Sequence, residues 1–343
     1  MDIDRFELTL ADPLDSADGR IEAREGWLVR VSREGTRGFG EATPLAGWTE
    51  PLAATRNALD TAREDADRHG LERAVDRVDP IARPAARHGV ECAALDAQAR
   101  SLDEPLWATL GGSGGPVPLN ATIDRVAPAM AAERARRAVE RGVPAVKCKA
   151  GADDSGRERE RIERVAAVVP AAVDFRIDAN GSWSPDFARA VLRSPEATDL
   201  DLVEQPVAAS DHATLRQLAG TIDPAIALDE SVVHASDPLA LVDIADAFVC
   251  KPMALGGLER TREIALAAID ANLAVIVSTT VDGVLARTAA AHLAASLPRV
   301  APSGLATGDR LAVDLAPDPV TIENGRVRLP DRPGLGITEV SIP

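Results

Sequence analysis

Lysine is almost missing from this sequence. Of 38 lysines and arginines, only Lys147, Lys149 and Lys251 are lysine. Either residue can carry a surface charge, but arginine stays protonated in a protein, whereas lysine loses its proton when its pKa is lowered. The three retained lysines, two of them in one Lys-Cys-Lys triplet, therefore mark places where a titratable amine or a compact ammonium is wanted. Cysteine is just as sparse. Cys92, Cys148 and Cys250 form an odd, widely spaced set, which excludes a disulfide framework or a CxxC metal site. The histidines, His69, His88, His212, His234 and His292, are too scattered for a zinc cluster. No apolar run reaches the ~20 residues of a membrane span. The opening MDIDRFELTL carries acids and lacks the apolar stretch of a secretory leader. A soluble, cytoplasmic protein is expected. Positive charge is outweighed, giving a net charge of -16, which argues against nucleic acid and against an anionic membrane surface. The excess acid reads as a solvated shell of the kind found in salt-adapted, halophile-like proteins.

What is present points to two modules. A chain of 343 residues buries a core large enough for one large domain and a smaller one. Phe6, Leu8 and Leu10 alternate with polar residues, as do Trp27, Val29 and Val31, the pattern of half-buried strands. The segment 33–36 reads as a hairpin turn into GFGEATPL (38–45). Thr49 is placed to cap a helix with Pro51 in its first turn, and a second helical pattern covers about 84–102. Residues 1–115 thus predict an α+β module.

From Val117 onward, short apolar runs alternate with amphipathic stretches such as Ile162, Val165, Ala166 and Val169. Eight strand-like runs, the last at 299–304, predict a modified (β/α)8 barrel over 116–310. The Pro-rich tail 311–343 is expected to return to the first module. Lys149, Asp178, Glu204, Asp229 and Lys251 end five consecutive runs at intervals of 29, 26, 25 and 22 residues. Each interval is one strand-plus-helix unit, so all five belong at the C-terminal mouth, where barrel active sites lie. Asp178, Glu204 and Asp229 supply hard oxygen ligands suited to Mg2+. Alternation puts Lys147 and Lys149 on one face and Cys148 on the other. Lys149 and Lys251 then oppose each other across the barrel. That arrangement suits removal of a proton next to a carboxylate, because cation and ammonium stabilise the enediolate that forms.

Together AVKCK (145–149), RIDANGSW (176–183), LVEQP (202–206), ALDES (227–231), CKPMALGG (250–257) and the GFGEATPL segment resemble the enolase superfamily, in its muconate-lactonizing-enzyme subgroup. The resemblance covers nearly the whole chain. It implies an α+β capping domain on a modified barrel and a small carboxylate substrate. It also implies Mg2+, with Mn2+ as an alternative, on Asp178, Glu204 and Asp229. Lys149 and Lys251 would act as acid and base, Lys147 would modulate Lys149, and Asn180 would support the ligands. VPLNATI, STTVDGVLAR (278–287) and SGLATGDRLAVDL (303–315) are similar to the o-succinylbenzoate synthases of menaquinone biosynthesis, hydro-lyases that dehydrate a cyclohexadiene carboxylate bearing a succinyl chain. That likeness puts Ser278, Thr279, Gly304 and Leu305 against the succinyl part. The same lysines would serve an N-acylamino acid racemase, a dipeptide epimerase or a muconate-type cycloisomerase. Dipeptide epimerases often place an acidic pair beyond strand eight to hold an amine, where this sequence reads GLATGD with Asp309 farther along. A metal-independent Schiff-base lyase using Lys251 would leave the three acids unexplained. A non-catalytic metal scaffold would leave the lysines unexplained.

Overall fold

The computed structural model describes residues 1–16, 19–151 and 154–343. The first module is an antiparallel sheet of β1 (Asp2–Ser16), β2 (Gly19–Arg33) and β3 (Thr36–Ala42), in that order. Glu34 and Gly35 between β2 and β3 have φ of 51° and 85°, the left-handed pair that matches a two-residue turn to the twist of its strands. Alternation divides the sheet as the sequence predicts. Trp27, Val29 and Val31 face a core with Val90, Ala93 and Ala97, while Phe6, Leu8, Leu10 and Leu28 face the main core of the protein.

Four helices follow, α1 (Leu52–His69), α2 (Leu71–Arg77), α3 (Pro84–Ser101) and α4 (Leu106–Thr109). Helix α3 lies directly on β3. A Cβ at Gly38 would stand 2.1 Å from the Ala93 carbonyl, and one at Gly40 2.1 Å from that of Gly89. Thr49 does not cap α1, whose first residue follows Pro51. Its hydroxyl accepts the Leu45 N–H at 2.8 Å and closes the turn carrying Trp48.

After the short strand β4 (Val117–Pro118), β5 (Asn120–Ile123), β6 (Ala145–Lys149), β7 (Asp174–Asp178), β8 (Leu202–Glu204), β9 (Ala225–Leu228), β10 (Ala247–Cys250) and β11 (Ala274–Val277) form one parallel sheet in sequence order. The intervening helices are α5 (Pro128–Glu140), α6 (Ser155–Ala166), α7 (Pro185–Leu192), α8 (His212–Ala219), α9 (Glu230–His234), α10 (Pro252–Leu255) and α11 (Leu258–Asp270), and α12 (Val284–Ser296) follows β11. The eighth expected strand is not a regular one. The segment 301–304 instead bridges the two sheet edges: Ala301 N donates to Val275 O, Gly304 N to Val277 O, Ser303 N to Pro118 O, and Asn120 N to Ser303 O. Pro302 has no N–H to give a ladder, so closure is made by these isolated bonds. The result is a modified (β/α)8-type barrel with an N-terminal capping module.

Beyond it, β12 (Thr321–Glu323) and β13 (Arg326–Arg328) pair with β4. Leu311 bridges to Leu10, and Leu335 N donates to Asp96 of α3 at 2.7 Å. Among the described residues, no helix is long and apolar enough to cross a membrane.

The capping module is seated on the barrel through two buried glutamates. Glu41 of β3 accepts the Gly283 and Ala286 N–H groups at the start of α12, at 2.7 and 3.1 Å. Glu91 of α3 accepts the Glu259 N–H at the start of α11, at 2.9 Å. Both barrel helices begin after a glycine, Gly257 or Gly283, and neither has a side-chain cap of its own. A Cβ at either glycine would meet the visiting carboxylate, at 2.5 Å from Glu91 and 2.8 Å from Glu41. Burial, with Asp282 nearby, pushes the Glu41 carboxyl up to about 7.

Candidate active site

Each residue singled out at a strand end is delivered to the mouth by β geometry. Lys147 and Lys149 lie on one face of β6, with Cys148 buried on the other. Asp178 closes β7 and Glu204 closes β8. Asp229 and Lys251 stand one residue past β9 and β10, as the residues preceding α9 and α10. Burial pushes the Cys148 and Cys250 thiols up to about 12, so both behave as small core residues.

The lysines and acids form two connected groups. Lys147 Nζ lies 3.0 Å from Asp178 Oδ2 and 2.9 Å from both Glu204 oxygens. Lys149 Nζ reaches Asp178 Oδ2 at 2.7 Å and Asn180 Oδ1 at 2.8 Å. Lys251 Nζ donates to Asp229 Oδ2 at 2.6 Å. The second group is capped by a residue with no periodic signal in the sequence: the Lys251 ammonium sits 3.6 Å from the ring centroid of Trp48, a cation–π contact. The exposure of the two lysines is unequal, with the Lys149 side chain 33% accessible and that of Lys251 10%.

Asn180 links the groups. Its N–H donates to Asp178 Oδ1 at 3.0 Å, and its side-chain amide donates to Glu230 Oε1 at 3.2 Å. Glu230, next to Asp229 in ALDES, has no distinctive signal in the sequence, because acids are common at helix starts.

Four carboxylates, Asp178, Glu204, Asp229 and Glu230, thus face three ammonium groups in a buried site. Burial pushes Glu204 up to about 7, and Asp178 beside it adds to the shift. Burial pushes Asp229 up to about 6 despite Lys251. Burial also acts on Asp178, but Lys147 and Lys149 outweigh it and hold that carboxyl well below the usual range. Lys147 is the converse case: burial opposes its charge, and Asp178 and Glu204 raise it above the ordinary lysine range.

Among the described residues, no three His, Cys, Asp or Glu side chains are already arranged around one metal position. Lys147 lies between Asp178 and Glu204, and Lys251 takes one Asp229 oxygen. The donor set nevertheless suits a hard divalent cation. Asp229 Oδ1 and Glu230 Oε2 are buried with no hydrogen-bond partner, a costly state for carboxylate oxygens that a cation relieves.

The opposite wall is polar and uncharged. Thr279 Oγ1 lies 3.2 Å from Thr307 Oγ1, and Ser278 is bridged to Gly304. A Cβ at Gly304 would stand 2.8 Å from Ser278 Oγ. Leu305 is 2% exposed and packs in the main core. No carboxylate is present at 304–306, and Asp309 is exposed. Arg310 pairs with Asp124 at 2.7 Å, joining the segment after 304 to the exit of β5.

Comparison with known proteins agrees with this architecture. Residues 130–339 match the family described as enolase C-terminal domain-like, and residues 4–111 match the mandelate racemase / muconate lactonizing enzyme N-terminal domain. The L-Ala-D/L-Glu epimerase of Bacillus subtilis (strain 168) is 28% identical over 97% of this chain and 94% of its own. A substrate-liganded structure of the B. subtilis epimerase superposes with a TM-score of 0.88 at 26% identity, covering 99% of this chain and 98% of that one. The dipeptide epimerase of Enterococcus faecalis V583, solved with Mg and the dipeptide L-Leu-L-Tyr, gives a TM-score of 0.87 at 26% identity over 98% of each chain. The o-succinylbenzoate synthase of Thermobifida fusca (strain YX) is 35% identical over a shorter stretch, 61% of this chain and 65% of its own.

Proposed function

Because the chain belongs to the mandelate racemase / muconate lactonizing enzyme family of the enolase superfamily, whose members are enzymes, we propose that it removes the α-proton of a carboxylate substrate with Lys149, and that the reaction is the dehydration carried out by o-succinylbenzoate synthases. The observation that carries this reading is the unequal setting of the two lysines. Lys251 is clasped between Asp229 Oδ2 at 2.6 Å and the Trp48 ring at 3.6 Å, contacts that hold it in one place. Lys149 is the more accessible amine.

Asp178, Glu204 and Asp229 are the residues that would hold Mg2+, with Mn2+ as an alternative. When bound, the cation supplies Lewis-acid stabilisation of the substrate carboxylate as charge develops on it. Lys149 takes the α-proton and later delivers a proton to the departing hydroxyl, so one base serves both halves of the dehydration. Lys251 faces the enediolate as a fixed cation. Lys147 keeps a permanent positive charge beside Asp178, and Asn180 holds Lys149 in register through the 2.8 Å contact. Ser278, Thr279 and Gly304 border the succinyl arm, with Leu305 contributing backbone only because its side chain belongs to the core.

The uncharged segment 304–306 supports this choice over a dipeptide, whose α-ammonium needs a carboxylate partner. The full-length likeness to epimerases supports a second reading, racemisation of an N-acylamino acid or epimerisation of a dipeptide, in which both lysines reach the α-carbon from opposite faces. One assay separates the two. The purified protein with Mg2+ is given the hydroxylated cyclohexadiene carboxylate, and separately N-succinyl amino acids and dipeptides in D2O. Aromatic product from the first, without deuterium entering the others, is expected. Epimerisation with no aromatic product would overturn the dehydratase reading and favour the racemase.

A further inference from the structure

Gln205 follows Glu204 and precedes Pro206. Its side chain is fully buried, at 0% exposure, and its φ of 37° lies in the left-handed region, which non-glycine residues enter only when their surroundings hold them there. Four hydrogen bonds do so. Gln205 Oε1 accepts the N–H of Asp229 at 3.1 Å and that of Ser231 at 3.0 Å. Gln205 Nε2 donates to Val207 O at 3.0 Å and to Ser231 Oγ at 2.8 Å. The Ser231 hydroxyl donates to Ala209 O at 3.1 Å, which leaves its oxygen free to accept from the amide. Two donors and two acceptors converge, and a primary amide is the side-chain group that answers both pairs. The backbone of Gln205 extends the tie. Its N–H donates to Ala227 O at 2.8 Å, and its carbonyl accepts the Gly181 N–H at 2.7 Å. One residue therefore joins the exits of β7, β8 and β9, the three strands that deliver Asp178, Glu204 and Asp229.

We propose that Gln205 is a positioning residue that fixes these three carboxylates relative to one another and so sets the affinity of the site for its divalent cation. The proposal rests on the metal reading of the site given above. A carboxylate in place of the amide would set one acceptor against another at the Val207 carbonyl. An aliphatic chain would leave the Asp229 and Ser231 N–H groups without an acceptor, and the turn bearing Asp229 would relax away from Glu204.

The test is calorimetric titration of the purified full chain with MgCl2 alone, together with the rise in melting temperature that Mg2+ produces. Gln205→Glu and Gln205→Leu are expected to weaken Mg2+ binding by about 10–100-fold, the usual cost of losing a group that orients metal ligands. The Mg2+-induced rise in melting temperature should shrink accordingly. A purely structural role would lower the melting temperature without Mg2+ and leave the affinity untouched. Ser231→Ala removes one of the four partners and little packing. It is expected to weaken binding by a smaller factor, and it serves if the Gln205 variants do not fold. Wild-type Mg2+ affinity in every folded variant overturns the inference alone. A wild-type protein that takes up no Mg2+ overturns the proposed function as well.

Discussion

Lys147 and Lys149 place their ammonium nitrogens on the same oxygen atom, Oδ2 of Asp178, at 3.0 and 2.7 Å. The two-residue spacing on β6 puts both side chains on the face that points into the barrel, within reach of that oxygen. Asp178 and Glu204 raise the buried Lys147 above the ordinary lysine range, which favours a positive charge near the more accessible lysine.

Replacing Lys149 by arginine keeps the charge and removes the titratable base. Turnover of Lys149→Arg should fall by about 10²–10⁴-fold, the worth of general base catalysis, with the circular dichroism spectrum unchanged. Exchange of the substrate α-proton with solvent should stop as well. Near wild-type turnover on every candidate substrate would overturn the assignment of the base.

Metal dependence is expected from the orphaned oxygens of Asp229 and Glu230. Dialysis against a chelator should abolish activity, and Mg2+ or Mn2+ should restore it. Full activity in metal-free protein would turn attention to a Schiff base on Lys251.

The raised carboxyl of Glu41 gives a signed pH effect. Its folded value, about 7, lies above the ordinary glutamate value of 4.5. The stabilising share of this group is therefore complete below about pH 4.5 and is lost as pH rises through 7. Chemical denaturation of wild type and Glu41→Gln across pH 5–8 should show the wild-type advantage shrinking with pH, by on the order of 3 kcal/mol at most. A gap that stays constant or widens with pH would show that Glu41 is ionised throughout.

A net charge of -16 predicts self-repulsion at low ionic strength. The melting temperature should climb as salt is raised from millimolar to molar, because screening weakens that repulsion. A flat or falling curve would remove the salt-adapted reading of the surface and leave the catalytic one standing.

Much of this was legible in the sequence, because a parallel barrel repeats strand plus helix at a nearly constant interval. The spacing of Lys149, Asp178, Glu204, Asp229 and Lys251 was enough to put all five at one mouth. Other features were hidden for physical reasons. The strand-like run at 299–304 lacks a regular ladder because Pro302 lacks an N–H. Thr49 has the chemistry of a helix cap, but a turn four residues back competes for its hydroxyl. Trp48 meets Lys251 across roughly two hundred residues of chain, and no local pattern foretells such a contact. Gln205 reads as an ordinary polar residue until the N–H groups of Asp229 and Ser231 are seen to converge on it.

The glutamates that cap α11 and α12 from the other module also constrain how this protein can be rebuilt by recombination. An N-terminal cap is typically worth ~1 kcal/mol, and here two such caps are owned by a different module from the helices they serve. A chimera that joins this barrel to a relative's first module would inherit Gly257 and Gly283 but depend on the donor for acids at the places of Glu41 and Glu91. Donors lacking either acid should yield hybrids that melt a few degrees lower, and restoring that single acid should recover the loss. The two modules therefore exchange with least loss when both acids travel with the glycines they face.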